Sequence, residues 1–333
     1  MNRIVTAAAH PNLAVVKYWG KADPRLNIPT NSSLSVNLGS ARTTTTVSFS
    51  PDLEQDVVRL NGAAADDRTA ERVARHLDRV RRLAGRTERA LVDSTNDFPA
   101  AAGIASSASA FAALSLAASR ALGLRLSERE LSILARQGSG SACRSIPDGF
   151  VRWEAGQDDA SSYAYQVAPP EHWDLRITTV IFSDQPKEVS SSDGHALAQT
   201  SPFFGARLAG LPRTLETVQA ALLARDFPRF GLALEREAVN MHAIAMTADV
   251  GAAASGLYYW QATTMQLIQQ VQAWRRAGLP VYFTIDAGPN VHLFCEAAQQ
   301  AALEAELARL LPDMRARAIV SAPARGAWVM SEA

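Results

Sequence analysis

Cysteine is scarce in this 333-residue sequence, which contains only Cys143 and Cys295. Two cysteines without metal-site spacing exclude a disulfide framework and a cysteine-based zinc site, and they are typical of a reducing compartment. Long apolar runs are also missing: none approaches the ~20 residues of a membrane-spanning helix, and the apolar run that begins at Ile4 is too short for a signal peptide. We therefore expect a cytoplasmic protein with no membrane partner.

An excess of charge of either sign is missing too, because Lys+Arg and Asp+Glu both total 33. Without a net field, nothing draws the protein to nucleic acid, so we expect a small-molecule partner instead. A hydrophobic content of 47% and a charged content of 20% are ordinary for a folded protein. The length allows two packed lobes.

Lysine is the rarest charged residue, with only Lys17, Lys21 and Lys187, so nearly all the positive charge is arginine. Because lysine was not kept for surface solvation, these three positions are candidates for sites that need a compact ammonium group. Lys17 and Lys21 flank the segment Tyr-Trp-Gly, and Lys187 lies in a polar loop. A pair of solvated lysines and a solvated loop are the alternatives.

Residues 98–109, Phe-Pro-Ala-Ala-Ala-Gly-Ile-Ala-Ser-Ser-Ala-Ser, predict an anion-binding loop that leads into a helix. The backbone N–H groups and the dipole at such a helix start attract phosphate. Small side chains around Gly103 permit close approach, and Ser106 and Ser107 offer hydroxyls to phosphate or Mg²⁺. An ordinary serine-capped helix is the alternative at this point.

Two further segments carry candidate site residues. Residues 138–144, Gly-Ser-Gly-Ser-Ala-Cys-Arg, combine close backbone approach with the bidentate fork of Arg144, although a surface turn is the alternative. Asp286 follows a strand-like run and precedes a Gly-Pro turn, where it either faces a cleft or caps the turn.

Periodicity predicts an α+β protein. Strands are expected at residues 4–9, 34–38, 43–49, 57–60, 90–94, 151–154, 163–167, 176–182, 281–285, 291–295 and 317–320. Helices are expected at residues 66–83, 106–122, 127–138, 202–245 with a break at 226–228, 258–277 and 296–310. The stripe Val73, Leu77, Val80 and Leu83 marks the buried face of the first helix.

Taken together, the motifs resemble the diphosphomevalonate decarboxylase family of the GHMP kinase superfamily. The matching segments are Asn12, 17–21 (Lys-Tyr-Trp-Gly-Lys), 31–36 (Asn-Ser-Ser-Leu-Ser-Val), 98–103, 138–145, 189–191 (Val-Ser-Ser) and 286–290 (Asp-Ala-Gly-Pro-Asn), and they occur in the family's order. The resemblance implies the GHMP kinase fold, with an N-terminal lobe similar to domain 2 of ribosomal protein S5 and a ferredoxin-like C-terminal lobe around a deep cleft. We place the lobes at residues 1–183 and 184–333.

The resemblance also implies a reaction. ATP phosphorylates the 3-hydroxyl of 5-diphosphomevalonate, and loss of that phosphate with CO₂ gives isopentenyl diphosphate in isoprenoid biosynthesis. Four residues are implied in catalysis: Asp286 would act on the hydroxyl, Arg144 would hold the carboxylate, Asn12 would support both, and Lys21 would lie near the reacting centre.

The remaining site residues are also implied by the resemblance. The phosphorylated mevalonate would contact Lys17, Tyr18, Arg68, Ser139, Ser141, Ser191, Ser192 and His195. ATP would contact Gly103, Ser106, Ser107 and Lys187, with Mg²⁺ on Ser106 or Ser107. A homodimer is expected.

The sequence departs from the family's usual pattern at Ala100, Ser192 and His195, which stand where threonine, an arginine common in bacterial members, and methionine are usual. Ser192 and His195 lie where the phosphoryl end of the substrate is expected. A 5-phosphomevalonate decarboxylase that forms isopentenyl phosphate is therefore the main alternative. A mevalonate 3-kinase and a non-catalytic ligand-binding protein are further alternatives.

Overall fold

The computed structural model describes residues 3–97, 106–183, 191–252, 254–314 and 316–333, without the side chains of Ser192 and Asp313. The strands are β1 (Ile4–Ala9), β2 (Asn12–Val16), β3 (Lys21–Asp23), β4 (Ile28–Pro29), β5 (Ser33–Asn37), β6 (Thr43–Ser50), β7 (Val57–Leu60), β8 (Ala63–Ala64), β9 (Arg89–Asn96), β10 (Phe150–Trp153), β11 (Ala164–Ala168), β12 (Leu175–Ile181), β13 (Tyr282–Ile285), β14 (Val291–Glu296), β15 (Arg317–Ser321) and β16 (Ala327–Glu332). The helices are α1 (Asp67–Ala84), α2 (Ser106–Ala121), α3 (Glu128–Gly138), α4 (Ser191–Leu197), α5 (Phe204–Ala224), α6 (Phe227–Met246), α7 (Ala262–Arg276) and α8 (Gln300–Met314).

The first sheet has the order β16-β1-β6-β9-β7-β8 and is antiparallel except where β7 runs parallel to β9. Side chains of β6 and β9 alternate between buried and less buried positions, as a sheet covered on one face requires. Helix α2 packs against β1 and β6, and α1 and α3 pack against α2. These contacts place the start of α2, where the predicted phosphate loop ends, beside the sheet.

A second sheet, β11-β10-β5-β2, contacts α5 and α6. Helix α6 also packs against β13 of the third sheet, whose order is β13-β14-β12-β15. One apolar core therefore joins side chains of β2 and β5 to side chains of α5, α6 and β14. Helices α5 and α6 therefore connect β2, which Lys17 follows, to β13, which Asp286 follows.

The two-lobed α+β architecture expected from the sequence is confirmed. Two strands pair across the boundary proposed at residue 183. Strand β12 precedes that residue but lies between β14 and β15, and β16 returns to the first sheet to pair with β1. Pairing depends on distant partners, so local sequence patterns cannot show it.

Candidate active site

Lys17 and Asp286 form an ion pair between two strand ends. Lys17 directly follows β2, and Asp286 directly follows β13. The Nζ atom of Lys17 lies 2.5 Å from Oδ1 of Asp286 and 2.8 Å from the carbonyl oxygen of Ala14. The lysine side chain is only 2% exposed, whereas that of Asp286 is 28% exposed. The pair therefore holds a sheltered ammonium behind a carboxylate that a ligand can reach.

The charge of Lys17 depends on its neighbours. Burial lowers the pKa of the Lys17 ammonium, and the Asp286 carboxylate opposes this shift by attracting and hydrogen-bonding the charged form. The Arg144 guanidinium also lowers the pKa of Lys17, which places a second cation near the pair.

Arg144 is held in one orientation by buried side chains. It lies in a 3-10 turn, Gly140–Ser145, where its Nε donates to Asn12 Oδ1 at 3.1 Å and its Nη1 donates to Ser33 Oγ at 2.6 Å. The guanidinium carbon lies 5.6 Å from the centroid of the Trp153 ring. Among the described residues, Nη2 has no hydrogen-bond partner, so the guanidinium keeps donors for a bound carboxylate.

Asn12 fixes the orientation of Arg144. Its Nδ2 donates to Ser145 Oγ at 2.8 Å and to the carbonyl oxygen of Ser141 at 3.0 Å. Because both partners of Nδ2 accept, the amide oxygen faces Arg144. Asn12 therefore contacts Arg144 directly. Burial lowers the pKa of Arg144, and the Asp286 carboxylate lies close enough to oppose this shift by raising that pKa.

His195 lies in an aromatic cluster. Its ring centroid is 4.0 Å from that of Tyr18 and 4.8 Å from that of Trp19, and its Nδ1 accepts a hydrogen bond from Gly20 N–H at 3.0 Å. Burial, with smaller contributions from the cations Lys21 and Arg144, lowers the pKa of His195 to about 3. The imidazole is therefore neutral at physiological pH.

Tyr18 lies between His195 and the Gly140 turn. The Tyr18 hydroxyl is buried and has no hydrogen-bond partner within the described part of the chain, and burial raises its pKa. A Cβ atom on Gly140 would lie 2.8 Å from that hydroxyl, so glycine lets the ring approach the turn. An unsatisfied buried hydroxyl at this position is suited to donate a hydrogen bond to a ligand.

Lys21 lies near an arginine that sequence reasoning missed. Its Nζ donates to Asn27 Oδ1 at 2.8 Å. Burial and then the Arg72 guanidinium lower the pKa of Lys21, so the two cations are close. The predicted contact residue Arg68 lies one turn earlier in α1. The i, i+4 spacing puts both arginines on one face of the helix, which is the sequence signal that could have found Arg72.

The predicted phosphate helix meets the Gly-Ser-Gly-Ser turn. Ser139 Oγ donates to Ser107 Oγ at 3.3 Å, and the adjacent Ser106 begins α2. Ser141 follows in the same turn and contributes its carbonyl to Asn12. The hydroxyls of Ser107 and Ser139 therefore meet at the N-terminus of α2, where the helix dipole favours an anion.

Four further residues predicted to bind ATP or substrate have few or no described contacts. Gly103 and Lys187 lie outside the described residues. Ser191 is exposed at the start of α4, and Ser192 follows it without a described side chain.

In the described part of the chain, no group of three or more His, Cys, Asp and Glu side chains could hold a metal. No described helix has the length and apolarity needed to cross a membrane.

Comparison with known proteins identifies two adjoining family matches. Residues 9–164 match the diphosphomevalonate decarboxylase-like N-terminal domain, and residues 177–326 match the mevalonate 5-diphosphate decarboxylase C-terminal domain. A diphosphomevalonate decarboxylase of Candida albicans is 36% identical over 89% of this chain and 85% of its own length. A phosphomevalonate decarboxylase of Haloferax volcanii is 34% identical over 86% of this chain and 87% of its own length.

Solved structures agree with these matches. Mevalonate diphosphate decarboxylase from Staphylococcus aureus superposes with a TM-score of 0.93 at 37% identity, covering 99% of both chains. MDDEF in complex with MVAPP, AMPPCP and magnesium superposes with a TM-score of 0.92 at 37% identity, covering 99% of this chain and all of its own. The chain therefore belongs to the diphosphomevalonate decarboxylase family.

Proposed function

We propose that this protein uses ATP to convert 5-diphosphomevalonate into isopentenyl diphosphate, ADP, phosphate and CO₂. The observation that carries the proposal is the Lys17–Asp286 ion pair beside the Asn12–Arg144 pair, within a chain of this family. Together these groups provide a proton acceptor and a carboxylate-binding cation at neighbouring positions, as the reaction requires.

Asp286 acts on the 3-hydroxyl of the substrate. Its carboxylate orients the hydroxyl and accepts the proton as the hydroxyl oxygen attacks the γ-phosphorus of ATP. Lys17, 2.5 Å away, holds the carboxylate in place. In this proposal Lys17 takes the place beside the reacting group, and Lys21, which the sequence resemblance put near that centre, contacts the phosphoryl end of the substrate.

Arg144 holds the carboxylate that will be lost as CO₂. Departure of the 3-phosphate leaves electron deficiency at C3, and the electron pair of the bond to the carboxylate carbon then forms the alkene. A guanidinium fixed by Asn12 and Ser33 keeps that bond aligned while CO₂ leaves.

The phosphoryl end of the substrate is assigned to the surface formed by Tyr18, Lys21, Arg72, Ser139 and Ser141. Two cations and three hydroxyls supply the donors that a phosphorylated ligand needs in place of water. Arg72 is added to this surface, and the contact of Arg68 stays a prediction from the sequence. Ser191, Ser192 and His195 stay as predicted contacts, with His195 contributing only as a neutral ring.

ATP and Mg²⁺ are assigned to the start of α2. Ser106 and Ser107 fit this role, because their hydroxyls lie at a helix N-terminus that favours anions. When bound, Mg²⁺ neutralises charge on the transferred phosphoryl group. MDDEF binds AMPPCP and magnesium, which supports the assignment by family. The contacts of Gly103 and Lys187 with ATP stay predictions from the sequence.

The cellular location and the oligomeric state are proposed from the sequence. A cytoplasmic location rests on the low cysteine content and ordinary composition. A homodimer rests on family resemblance, and size-exclusion chromatography with light scattering measures it directly.

Turnover of purified protein with mevalonate, 5-phosphomevalonate and 5-diphosphomevalonate tests the function. We expect equal amounts of ADP and CO₂ from the diphosphate. The neutral state of His195 and the similarity to the Haloferax volcanii enzyme favour the monophosphate as the second candidate. A preference for the monophosphate above about tenfold in kcat/KM would establish it, whereas ADP without CO₂ would indicate a 3-kinase.

A further inference from the structure

A buried ion pair in the helices of the second half lies directly behind Lys17. Arg207 of α5 and Glu237 of α6 have side chains that are 1% and 2% exposed. Arg207 Nη2 donates to Glu237 Oε1 at 2.7 Å, and Nη1 donates to Oε2 at 3.2 Å. Nη1 also donates to the side-chain oxygen of Asn240. The pair is therefore bidentate, and Asn240 of α6 holds it as well.

The same pair binds both backbone groups of Lys17. The N–H of Lys17 donates to Glu237 Oε1 at 3.0 Å, and its carbonyl oxygen accepts from Arg207 Nη2 at 3.4 Å. Asn31 donates to that carbonyl as well, at 2.9 Å. The main chain at this residue is thus held on both sides while its side chain reaches Asp286.

A buried ion pair is weak support for stability, because desolvating two charges offsets most of their attraction, and apolar residues of similar volume often stabilise as well. Apolar side chains could not bind the N–H and carbonyl of Lys17. A backbone displacement of about 1 Å beside a reacting centre is enough to lower a rate substantially. The polar contacts therefore have a positional effect that packing alone would not supply.

We propose that Arg207 and Glu237 are positioning residues that hold the backbone of Lys17 in register with Asp286. Neither residue is needed to touch substrate. The effect of this positioning on the rate rests on the proposed function, whereas its effect on Lys17 can be observed without any substrate.

The charged and titratable groups near the Lys17 ammonium come from several packed elements: Asp286, Glu237, Arg144 and His242. Arg207 contacts the carbonyl oxygen of Lys17 instead. Burial lowers the pKa of Lys17, and the Glu237 carboxylate is one of the groups that raise it. The Lys17 ammonium in turn helps to keep His242 neutral by lowering its pKa. Loss of the Glu237 charge should therefore shift the Lys17 titration to lower pH.

The primary variant is Glu237→Gln, which keeps an oxygen acceptor but removes the charge. Its matched control is Asp56→Asn, because Asp56 also forms a buried bidentate pair, with Arg81 at 2.8 and 2.9 Å, and also accepts a backbone N–H, from Ala90. The double variant Arg207→Met with Glu237→Leu removes both charges together and avoids leaving either one buried alone.

The kinetic arm separates positioning from folding. We expect kcat per folded molecule to fall about tenfold or more in Glu237→Gln and in the double variant, with KM for each substrate changed less than about threefold. The alkaline limb of the kcat–pH profile should shift to lower pH by about half a pH unit or more in Glu237→Gln. In Asp56→Asn, both the value of kcat and the position of this limb should equal those of the wild type.

The second arm uses ¹⁵N-lysine labelling, which gives at most three side-chain signals because the chain has three lysines. Lys17→Arg assigns the signal of Lys17. The midpoint of its titration should fall in Glu237→Gln and stay at the wild-type value in Asp56→Asn.

An unmoved Lys17 midpoint together with wild-type kcat in Glu237→Gln would overturn the proposal. The same conclusion follows if Asp56→Asn matches Glu237→Gln in both measurements. If the wild type turns over none of the three mevalonate substrates, the proposed function fails, and the titration arm still decides the positioning of Lys17.

Discussion

The backbone N–H of Gly20 donates a hydrogen bond to Nδ1 of His195 over 3.0 Å. Because Nδ1 accepts, a neutral ring carries its proton on Nε2. The ring lies between Tyr18 and Trp19, away from solvent, and its pKa is lowered to about 3. The histidine that departs from the family's methionine therefore acts as a neutral packing residue with one available donor.

The first prediction concerns the pH dependence of substrate use. Between pH 5.5 and 9, His195 should not titrate, so kcat/KM of the wild type and of His195→Met should have parallel pH profiles. The variant should keep activity within about fivefold, since an exchange of similar volume is usually tolerated. Profiles measured with both phosphorylated substrates check this. An ionisation near pH 6.5 present only in the wild type would contradict it.

The second prediction concerns stability in acid. His76, His195 and His242 are buried, and each has a pKa lowered to about 3, chiefly by burial. Above the unfolded value of ~6.5 their contribution is constant. As pH falls from 6.5 toward 3, the unfolded chain binds protons that the folded chain does not, so stability falls. At pH 5 the loss is roughly 2 kcal/mol for each histidine.

Urea unfolding at pH 7, 6 and 5 measures this loss. Replacing His76, whose Nε2 bonds Ser115 at 2.8 Å in the α1–α2 packing, tests one histidine apart from the proposed site. His76→Leu should make stability less dependent on pH, even if it is less stable at pH 7. If the free energy of unfolding of His76→Leu changed with pH as steeply as that of the wild type, His76 would titrate alike in the folded and unfolded states.

The third prediction is that Asp286→Asn folds but loses turnover by about 10³-fold or more. The amide keeps the shape of the carboxylate but cannot accept the hydroxyl proton. It also leaves Lys17 without its counter-ion, which should lower the pKa of Lys17 further. Stopped assays of ADP and CO₂ measure the loss, with the exposed Asp174→Asn as control. Activity within about tenfold of wild type would remove Asp286 from the mechanism.

The fourth prediction is that Arg144→Lys is nearly as damaging to kcat as Arg144→Ala. An ammonium retains the charge but cannot bond Asn12 and Ser33 while presenting a planar pair of donors to a carboxylate. Arg152→Lys, on neighbouring β10, is the control and should be near wild type. Near-normal kcat in Arg144→Lys would instead favour a simple point charge.

The fifth prediction concerns the close approach of Tyr18 to Gly140. In Gly140→Ala the new Cβ would lie 2.8 Å from the Tyr18 hydroxyl and 2.9 Å from Cε1, so the ring must move. We expect kcat/KM for the phosphorylated substrate to fall about tenfold, a loss of ~1.4 kcal/mol. Gly205→Ala is the matched control, because no atom lies within 4 Å of its added Cβ. Equal kinetics in both variants would remove Tyr18 from the binding surface.

Local patterns predicted local structure well. The break expected at 226–228 separates α5 from α6, where Arg225 adopts a left-handed conformation and Asp226 caps the next helix. The helix expected at 127–138 is confirmed as α3, and a capping box formed by Ser127 and Glu130 starts it. In α1, Val73, Leu77 and Val80 are buried, but Leu83 is 57% exposed. Periodicity identifies a face of a helix and does not say where the surface packed against it ends.

Distant contacts could not be predicted in the same way. The ion pair of Lys17 joins residues 269 apart in the sequence, and no local pattern assigns its partner. The segment that carries Lys187 is expected to be a polar loop, whereas residues 191–197 form the short helix α4 despite the low helix propensity of their serines and glycine. Its Gly194 packs so closely that a Cβ would lie 2.6 Å from the Trp19 ring. Tertiary packing, rather than propensity, determines this segment and the burial of His195.

The pairing of β16 with β1 has a consequence for biosynthesis. The ribosome releases β1 first, yet the strand that covers its outer edge comes from residues 327–332. Until those residues emerge, the nascent first sheet presents an open row of backbone donors and acceptors, which is a template for association with other chains. The first sheet can therefore be completed only after the whole second half has been synthesised, and chains truncated before β16 should aggregate during expression.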